Sequence, residues 1–337
     1  MKEIKDLVDI SKYAGERIDL VQAGGGNSSV KLNNGKMLIK ASGYSLSEVE
    51  GDYGYSTVLT DQISEIVKNE KIINEKSKRK RENIASQLVK KATVDIKNRP
   101  SIETLLHSFL LKYTLHTHPI SVNIVLAKKG WENILKSIFP NEELVFVEYQ
   151  TPGVDLALAL KIQLNKFVKT PSILFLQNHG LIITSDKKNE IEILTEYVLD
   201  SVENYLNIDF SKYKLTTEIT KSLKKIKDTQ NISYLSEDVF LNDLLQINKL
   251  LFFERPFCPD SFVFCGVHAV EIKDLTDLNL INRYTEKYVM LPKIIIYNNN
   301  IFIISQSVKK AKDIEDVLKF HLMILSHNNS EINFLPQ

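Results

Sequence analysis

The run Leu115-His116-Thr117-His118-Pro119 constrains this chain more than any other. On a β-strand, residues i and i+2 point to the same face, so a strand here sends both imidazoles to one side. Two imidazoles so placed can reach one metal ion. A third candidate, His179, sits in Gln177-Asn178-His179-Gly180, a sharp strand-to-strand turn. Three His ligands with an open fourth position is the plan of a catalytic zinc site. An H-x-H pair alone is a weak pattern, more often two ordinary histidines than a ligand pair. The third His in a glycine turn makes the set a candidate centre.

The chain has 337 residues, which predicts about two domains. Hydrophobic residues are 43% and charged residues 25%, values of a folded globular protein that exclude global disorder. With 43 Lys+Arg against 42 Asp+Glu the net charge is +1, which gives no support to general nucleic-acid or membrane-surface binding. Cys258 and Cys265 are too few for a disulfide framework and have no ligand spacing that suggests a second zinc site. No apolar run approaches the roughly 20 residues of a membrane span. The Met1–Asp6 segment does not read as a secretory signal, so a cytoplasmic location is expected.

Periodicity predicts a helix over 3–18, a hairpin of strands around Val30–Leu32 and Met37–Lys40, and mostly helix over 57–98. It predicts helices at 101–112, 120–127, 154–164 and 186–206, and strands at 114–117, 145–147, 172–176 and 181–184. A polar, helix-prone connector is expected over 209–250. A smaller α/β unit follows, with strand 261–272, hairpin 293–305 and helix 307–326. The domain reading is therefore 1–208, a 209–250 connector, and 251–337, in an α/β or α+β layered class. The highly charged run Lys76–Glu82 reads as a solvated helix face or linker, or as an anion patch.

Three further groups carry chemistry. In Arg99-Pro100-Ser101-Ile102-Glu103, Ser101 can cap a helix with Glu103 in its first turn. The functional alternative makes Glu103 a general acid/base beside the metal and Ser101 a phosphate contact. His107, four residues after Glu103, is expected to pack behind it. The loop Gly24-Gly25-Gly26-Asn27-Ser28-Ser29 can cradle an anion or simply turn tightly, and it matches no nucleotide fingerprint. Ser42-Gly43 could add to the same anion site.

Together these pieces resemble the class II (zinc-dependent) aldolase/adducin-like family. The resemblance rests on Gly25–Val30, Ile39–Gly43, Pro100–Glu103, His116–Pro119 and Asn178–Gly180, over about residues 10–205. A weaker likeness of the last stretch to longer, rhamnulose-phosphate-aldolase-like members rests on Phe257–Asp260 and the 293–326 hairpin and helix. The resemblance implies a three-layer α/β/α fold with a mainly antiparallel central sheet, plus the small C-terminal α/β unit, and a homo-oligomer, commonly a tetramer. It implies metal ligands at His116, His118 and His179, and an acid/base at Glu103 that can also ligate resting metal. It implies phosphate contacts at Gly26, Asn27, Ser42, Gly43 and Ser101.

Shorter sugar-phosphate aldolases often have a second Ser directly before the Glu; here that place is Ile102. No tyrosine can be matched to the family's catalytic one. The implied function is a lyase that cleaves or forms a phosphorylated ketose, giving dihydroxyacetone phosphate and an aldehyde through a zinc-stabilised enediolate. The expected cofactor is Zn²⁺, with other divalent ions possible, and the expected partner is a small phosphorylated sugar. A dehydratase, epimerase or decarboxylase on the same fold is the alternative, although Glu103 is less typical of the 4-epimerases. A non-catalytic, adducin-like binding module is a second alternative.

Overall fold

The computed structural model describes residues 2–94, 98–227, 229–328 and 332–335. The chain divides into two compact units, the first ending at Phe210 and the second beginning at Ser211.

Unit 1 is built on a seven-stranded sheet. Its strands are β1 (Asn27–Lys31), β2 (Lys36–Lys40), β3 (Tyr55–Leu59), β4 (Tyr113–Thr117), β5 (Leu144–Val147), β6 (Ile173–Leu176) and β7 (Gly180–Ser185), in the spatial order β3-β2-β1-β4-β7-β6-β5. Every neighbouring pair is antiparallel except β5–β6. The sheet is buried on both faces because its strands carry apolar residues at both parities. Val30, Leu115, Leu181 and Ile183 pack into one core with α1 (Lys2–Gly15), α6 (Ile120–Leu126), α7 (Trp131–Ile138) and α9 (Lys188–Leu206). Met37, Ile39, Val58, Leu174 and Ile182 pack into a second core on the other face. The helices there are α2 (Thr60–Glu65), α3 (Glu70–Ile73), α4 (Lys78–Lys91), α5 (Thr104–Ser108) and α8 (Val154–Leu164). This is the three-layer α/β/α arrangement with a mainly antiparallel centre.

Unit 2 carries a four-stranded sheet, order β8-β11-β10-β9, from β8 (Ile232–Leu235), β9 (Val270–Glu271), β10 (Ile294–Tyr297) and β11 (Asn300–Ser305). Its helices are α10 (Ser211–Ile226), α11 (Val239–Ile247), α12 (Pro259–Cys265), α13 (Asn279–Tyr288) and α14 (Val308–His327). The β10–β11 turn places Asn298 and Asn299 in the left-handed region, the backbone a two-residue hairpin loop requires.

Four expectations differ from what is observed. The segment 57–98 opens with strand rather than helix: Tyr55–Leu59 alternates buried and half-buried positions and pairs with β2. The part of that expectation at 95–97 lies outside the described residues. The 101–112 helix shortens to α5, because Tyr113–Thr117 is drawn into the sheet directly after it. The expected strand 261–272 is mostly α12. Pro259 sits in its first turn, the Cys258 sulfur accepts the Ser261 N–H, and Gly266 (φ 78°) ends it, leaving only Val270–Glu271 extended. The expected connector 209–250 is largely part of unit 2, since β8 pairs with β11 through Phe302↔Leu235 to Ser305↔Ile232.

The charged run starts α4. Ser77 caps that helix, and Lys78 and Arg81 both pair with Asp155 (3.3 and 2.5 Å), the behaviour of a helix face. Among the described residues no helix is long and apolar enough to cross a membrane.

Candidate metal centre

β4 places His116 on the α5 side of the sheet, and the chain leaves that strand at His118. The β6–β7 turn brings in His179 from the neighbouring strand pair, with Asn178 left-handed at φ 52°. The result is a compact triad. The Nε2 of His116 lies 3.2 Å from that of His179 and 3.2 Å from that of His118. A four-coordinate ion with nitrogen ligands at about 2.0–2.1 Å holds those nitrogens roughly 3.3 Å apart, so the donor set fits one divalent ion.

The His116 Nδ1–H donates to the Leu181 carbonyl at 3.0 Å, which fixes the tautomer and leaves Nε2 as a lone-pair donor. Burial, with the neighbouring His116 and His179 rings, pushes His118 down to about 3, so this imidazole is neutral at ordinary pH.

Two glycines make the close approach possible. A Cβ on Gly25 would come within 2.9 Å of His118 Nδ1, and one on Gly180 within 2.2 Å of the Thr117 carbonyl oxygen. The glycine loop thus packs against the imidazoles, whatever it also does toward a ligand. Gly26 is buried beneath the His116 carbonyl. Asn27 is buried and paired with His116 across β1–β4. Its Oδ1 accepts the Ser28 N–H, and its Nδ2 has no partner among the described residues.

Glu103 stands at the head of α5 and points its Oε1 at the triad, 3.5 Å from His116 Nε2 and 3.4 Å from His179 Nε2. Burial raises its carboxyl, but the His116 and His179 rings outweigh that and hold it well below the usual carboxylate range. The capping expectation is revised in detail. Glu103 itself is the residue before the first helical one, and Ser101 Oγ accepts the Glu103 N–H at 3.3 Å.

Ser42 and Gly43 form an exposed turn after β2. The Ala41↔Pro100 bridge and the Ser42 N–H bond to the Arg99 carbonyl (2.8 Å) bring that turn beside Ser101. Gly26 and Asn27 are buried at the sheet, so the five expected phosphate contacts fall into a buried pair and a more open group of exposed Ser42 and Gly43 with half-buried Ser101.

Lys40 gains a role that spacing did not suggest, whereas His107 packs where its spacing from Glu103 placed it. Lys40, at the end of β2, is buried and donates to the Tyr44 carbonyl (2.7 Å). Burial lowers its ammonium, opposed by the Glu103 and Glu48 carboxylates, which places this amine within electrostatic reach of Glu103. The run Ile39–Gly43 contained it without singling it out. His107 is fully buried beneath Glu103, with Nδ1 2.7 Å from Ser29 Oγ and burial pushing it down to about 3.

A family model for the class II aldolase and adducin N-terminal domain matches residues 5–206. The uncharacterized oxidoreductase YuxG of Bacillus subtilis (strain 168) is 26% identical over 226 residues, covering 64% of this chain and 31% of that protein. The chain thus spans about a third of the length of that curated relative. The N-terminal class II aldolase domain of a conserved protein from Thermoplasma acidophilum matches with a TM-score of 0.51 and 26% identity, over 60% of this chain and 93% of that one. A sugar-phosphate aldolase from Thermotoga maritima matches with a TM-score of 0.42 and 15% identity, over 61% and 94%. The family match extends over more than half of the chain and includes the triad and Glu103; this chain belongs to the class II aldolase and adducin family.

Proposed function

We propose that unit 1 is a divalent-metal lyase that cleaves a phosphorylated ketose into dihydroxyacetone phosphate and an aldehyde, or runs the reverse addition. One observation carries the reading: a carboxylate oxygen sits 3.4–3.5 Å from two members of a three-imidazole donor set. His116, His118 and His179 would hold the ion, with zinc the best match to three imidazoles. The bound ion supplies Lewis acidity for the charge that develops on the substrate's oxygens.

Cleavage breaks the carbon–carbon bond between the carbon next to the ketone and the carbinol carbon. The carbinol O–H gives its proton to the Glu103 carboxylate as its carbon becomes the aldehyde, and the bond pair delocalises into the ketone. Glu103 then returns a proton to the carbon that kept the pair; in the addition direction it removes that proton. Exposed Ser42 and Gly43 with half-buried Ser101 form the cradle for the substrate phosphate, with Lys40 adding positive potential nearby. Asn27 and Gly26 lie at the buried end of the site.

The test is the metal content of purified wild type beside His116→Ala, followed by a panel of phosphorylated ketoses assayed for dihydroxyacetone phosphate. About one divalent ion per chain, lost in the variant, with triose released from a panel member, is the expected result. Metal without triose from any ketose overturns the lyase assignment in favour of dehydration or epimerisation on the same centre. No metal in the wild type removes the catalytic reading altogether.

A further inference from the structure

Unit 2 carries an open cavity of about 620 Å³, within the range of small-molecule sites, and every residue lining it belongs to that unit. One wall is the edge strand β9 with the chain on either side of it, His268 to Asp274. The other is a single face of α13, where Leu280, Arg283, Tyr284, Lys287 and Tyr288 recur at helical spacing.

The cavity has an aromatic corner. The His268 ring stands edge-on to Tyr284 (centroids 5.1 Å apart, 84°) and to Tyr288 (5.8 Å, 84°), and the two tyrosines pack at 4.8 Å. Tyr284 is tied down by the Val267 N–H, which donates to its hydroxyl at 3.0 Å. These contacts fix the three rings relative to one another, which pre-organises a surface for a flat ligand. His268 Nδ1 lies 2.8 Å from the Ala269 carbonyl, which can only accept, so Nδ1 carries the proton and Nε2 is left as an acceptor.

The charges beside that corner are unequally committed. Each carboxylate is engaged: Glu271 with Lys249 at 2.8 Å, Asp274 with the Thr276 N–H and hydroxyl at 2.7 and 2.8 Å, and Asp277 with the Asn279 N–H at 3.1 Å. Arg283 and Lys273 have no ion pair or hydrogen bond among the described residues, and Lys287 only overlies the Tyr288 ring at 5.0 Å. Rigid rings, a nitrogen acceptor and three cations without a carboxylate partner are what a base bearing a phosphate would require.

We infer that the unit 2 cavity binds a nucleoside phosphate, the base against His268, Tyr284 and Tyr288 and the phosphate on Arg283, Lys287 and Lys273. This site is independent of the chemistry proposed for unit 1, and its failure would leave that proposal standing.

The experiment is isothermal titration of the full chain with purine and pyrimidine nucleoside mono-, di- and triphosphates. Adenosine and inorganic phosphate serve as separate probes. At least one nucleotide binds with Kd below about 1 mM, and about tenfold or more tighter than either fragment. Arg283→Ala with Lys287→Ala, both exposed positions, weakens that binding about tenfold or more, as does Tyr288→Ala, while His116→Ala leaves it unchanged. Thermal melts confirm that the variants stay folded. The assignment is overturned if no nucleotide binds at about 1 mM, or if adenosine or phosphate alone binds as tightly. It also fails if the Arg283/Lys287 double variant keeps its affinity, or if His116→Ala is what abolishes binding.

Discussion

Gly180 meets Thr117 across the β4–β7 ladder so closely that a Cβ on Gly180 would lie 2.2 Å from the Thr117 carbonyl oxygen. The same Cβ would lie 3.1 Å from the His118 ring. A methyl group here cannot be absorbed by a flexible side chain, because the first obstacle is backbone. Gly180→Ala therefore costs about 1–3 kcal/mol of stability and displaces His118 and His179 relative to His116. Urea midpoints and a divalent-metal titration check this, with Gly35→Ala as the comparison. Gly35 has positive φ (75°), unlike Gly180, but nothing within 4 Å of its Cβ, so that variant loses only about 1 kcal/mol and keeps its metal affinity.

Glu103→Gln separates proton transfer from metal binding. The amide keeps the shape and the reach toward His116 and His179 but cannot shuttle a proton. Turnover on whichever ketose proves to be the substrate should fall about 10²–10⁴-fold while metal content stays that of wild type. A variant as active as wild type would remove Glu103 from the proposed chemistry.

Much of this site is legible in residue spacing because its parts are local. His116 and His118 need only the two-residue period of a strand, and His179 only a tight turn. What spacing cannot show is distance between segments. The placement of Ser42 beside Ser101 depends on the Ala41↔Pro100 bridge, a contact about sixty residues apart along the chain. The β-strand at Ile232–Leu235 likewise exists because β11 pairs with it, and that pairing overrides a helix-prone neighbourhood. At α12 the apolar run Phe262-Val263-Phe264 suggests a strand, yet Pro259 ahead of it and Gly266 behind it are helix start and stop signals that outweigh the run.

His107 predicts an acid sensitivity. It is buried and pushed down to about 3, against an ordinary value of 6.5. Between those values the unfolded chain binds a proton at this ring that the folded chain refuses. The associated stability is fully present above about pH 6.5 and is lost as pH falls toward 3. In metal-free protein, lowering pH from 6.5 to 4.5 should cost the wild type about 2 kcal/mol more than His107→Gln, read from urea midpoints. His118 titrates in both proteins and cancels in that difference. Equal losses in the two would show that burial of His107 is not what limits acid stability.

Arg17 anchors the segment whose backbone carbonyls bond the chain at His118 and Ile120. Its guanidinium is fully buried, bonds Asp19 through two nitrogens (3.1 and 2.6 Å), and also contacts Glu196 on α9. Burial would lower its affinity for the proton, but the Asp19 and Glu196 carboxylates more than offset this and raise it above the ordinary arginine value. The segment it anchors has a second function: the Leu20 carbonyl accepts the His118 N–H and the Asp19 carbonyl accepts the Ile120 N–H, both at 2.9 Å. Arg17→Met leaves Asp19 buried without its counter-charge, which should cost about 3–5 kcal/mol. The loss should be accompanied by weaker metal binding, because the backbone that positions His118 is no longer held. Denaturation midpoints measure the first effect and a metal titration the second. A variant that loses stability but binds metal as tightly as wild type would show that the Arg17 network supports the fold without positioning His118.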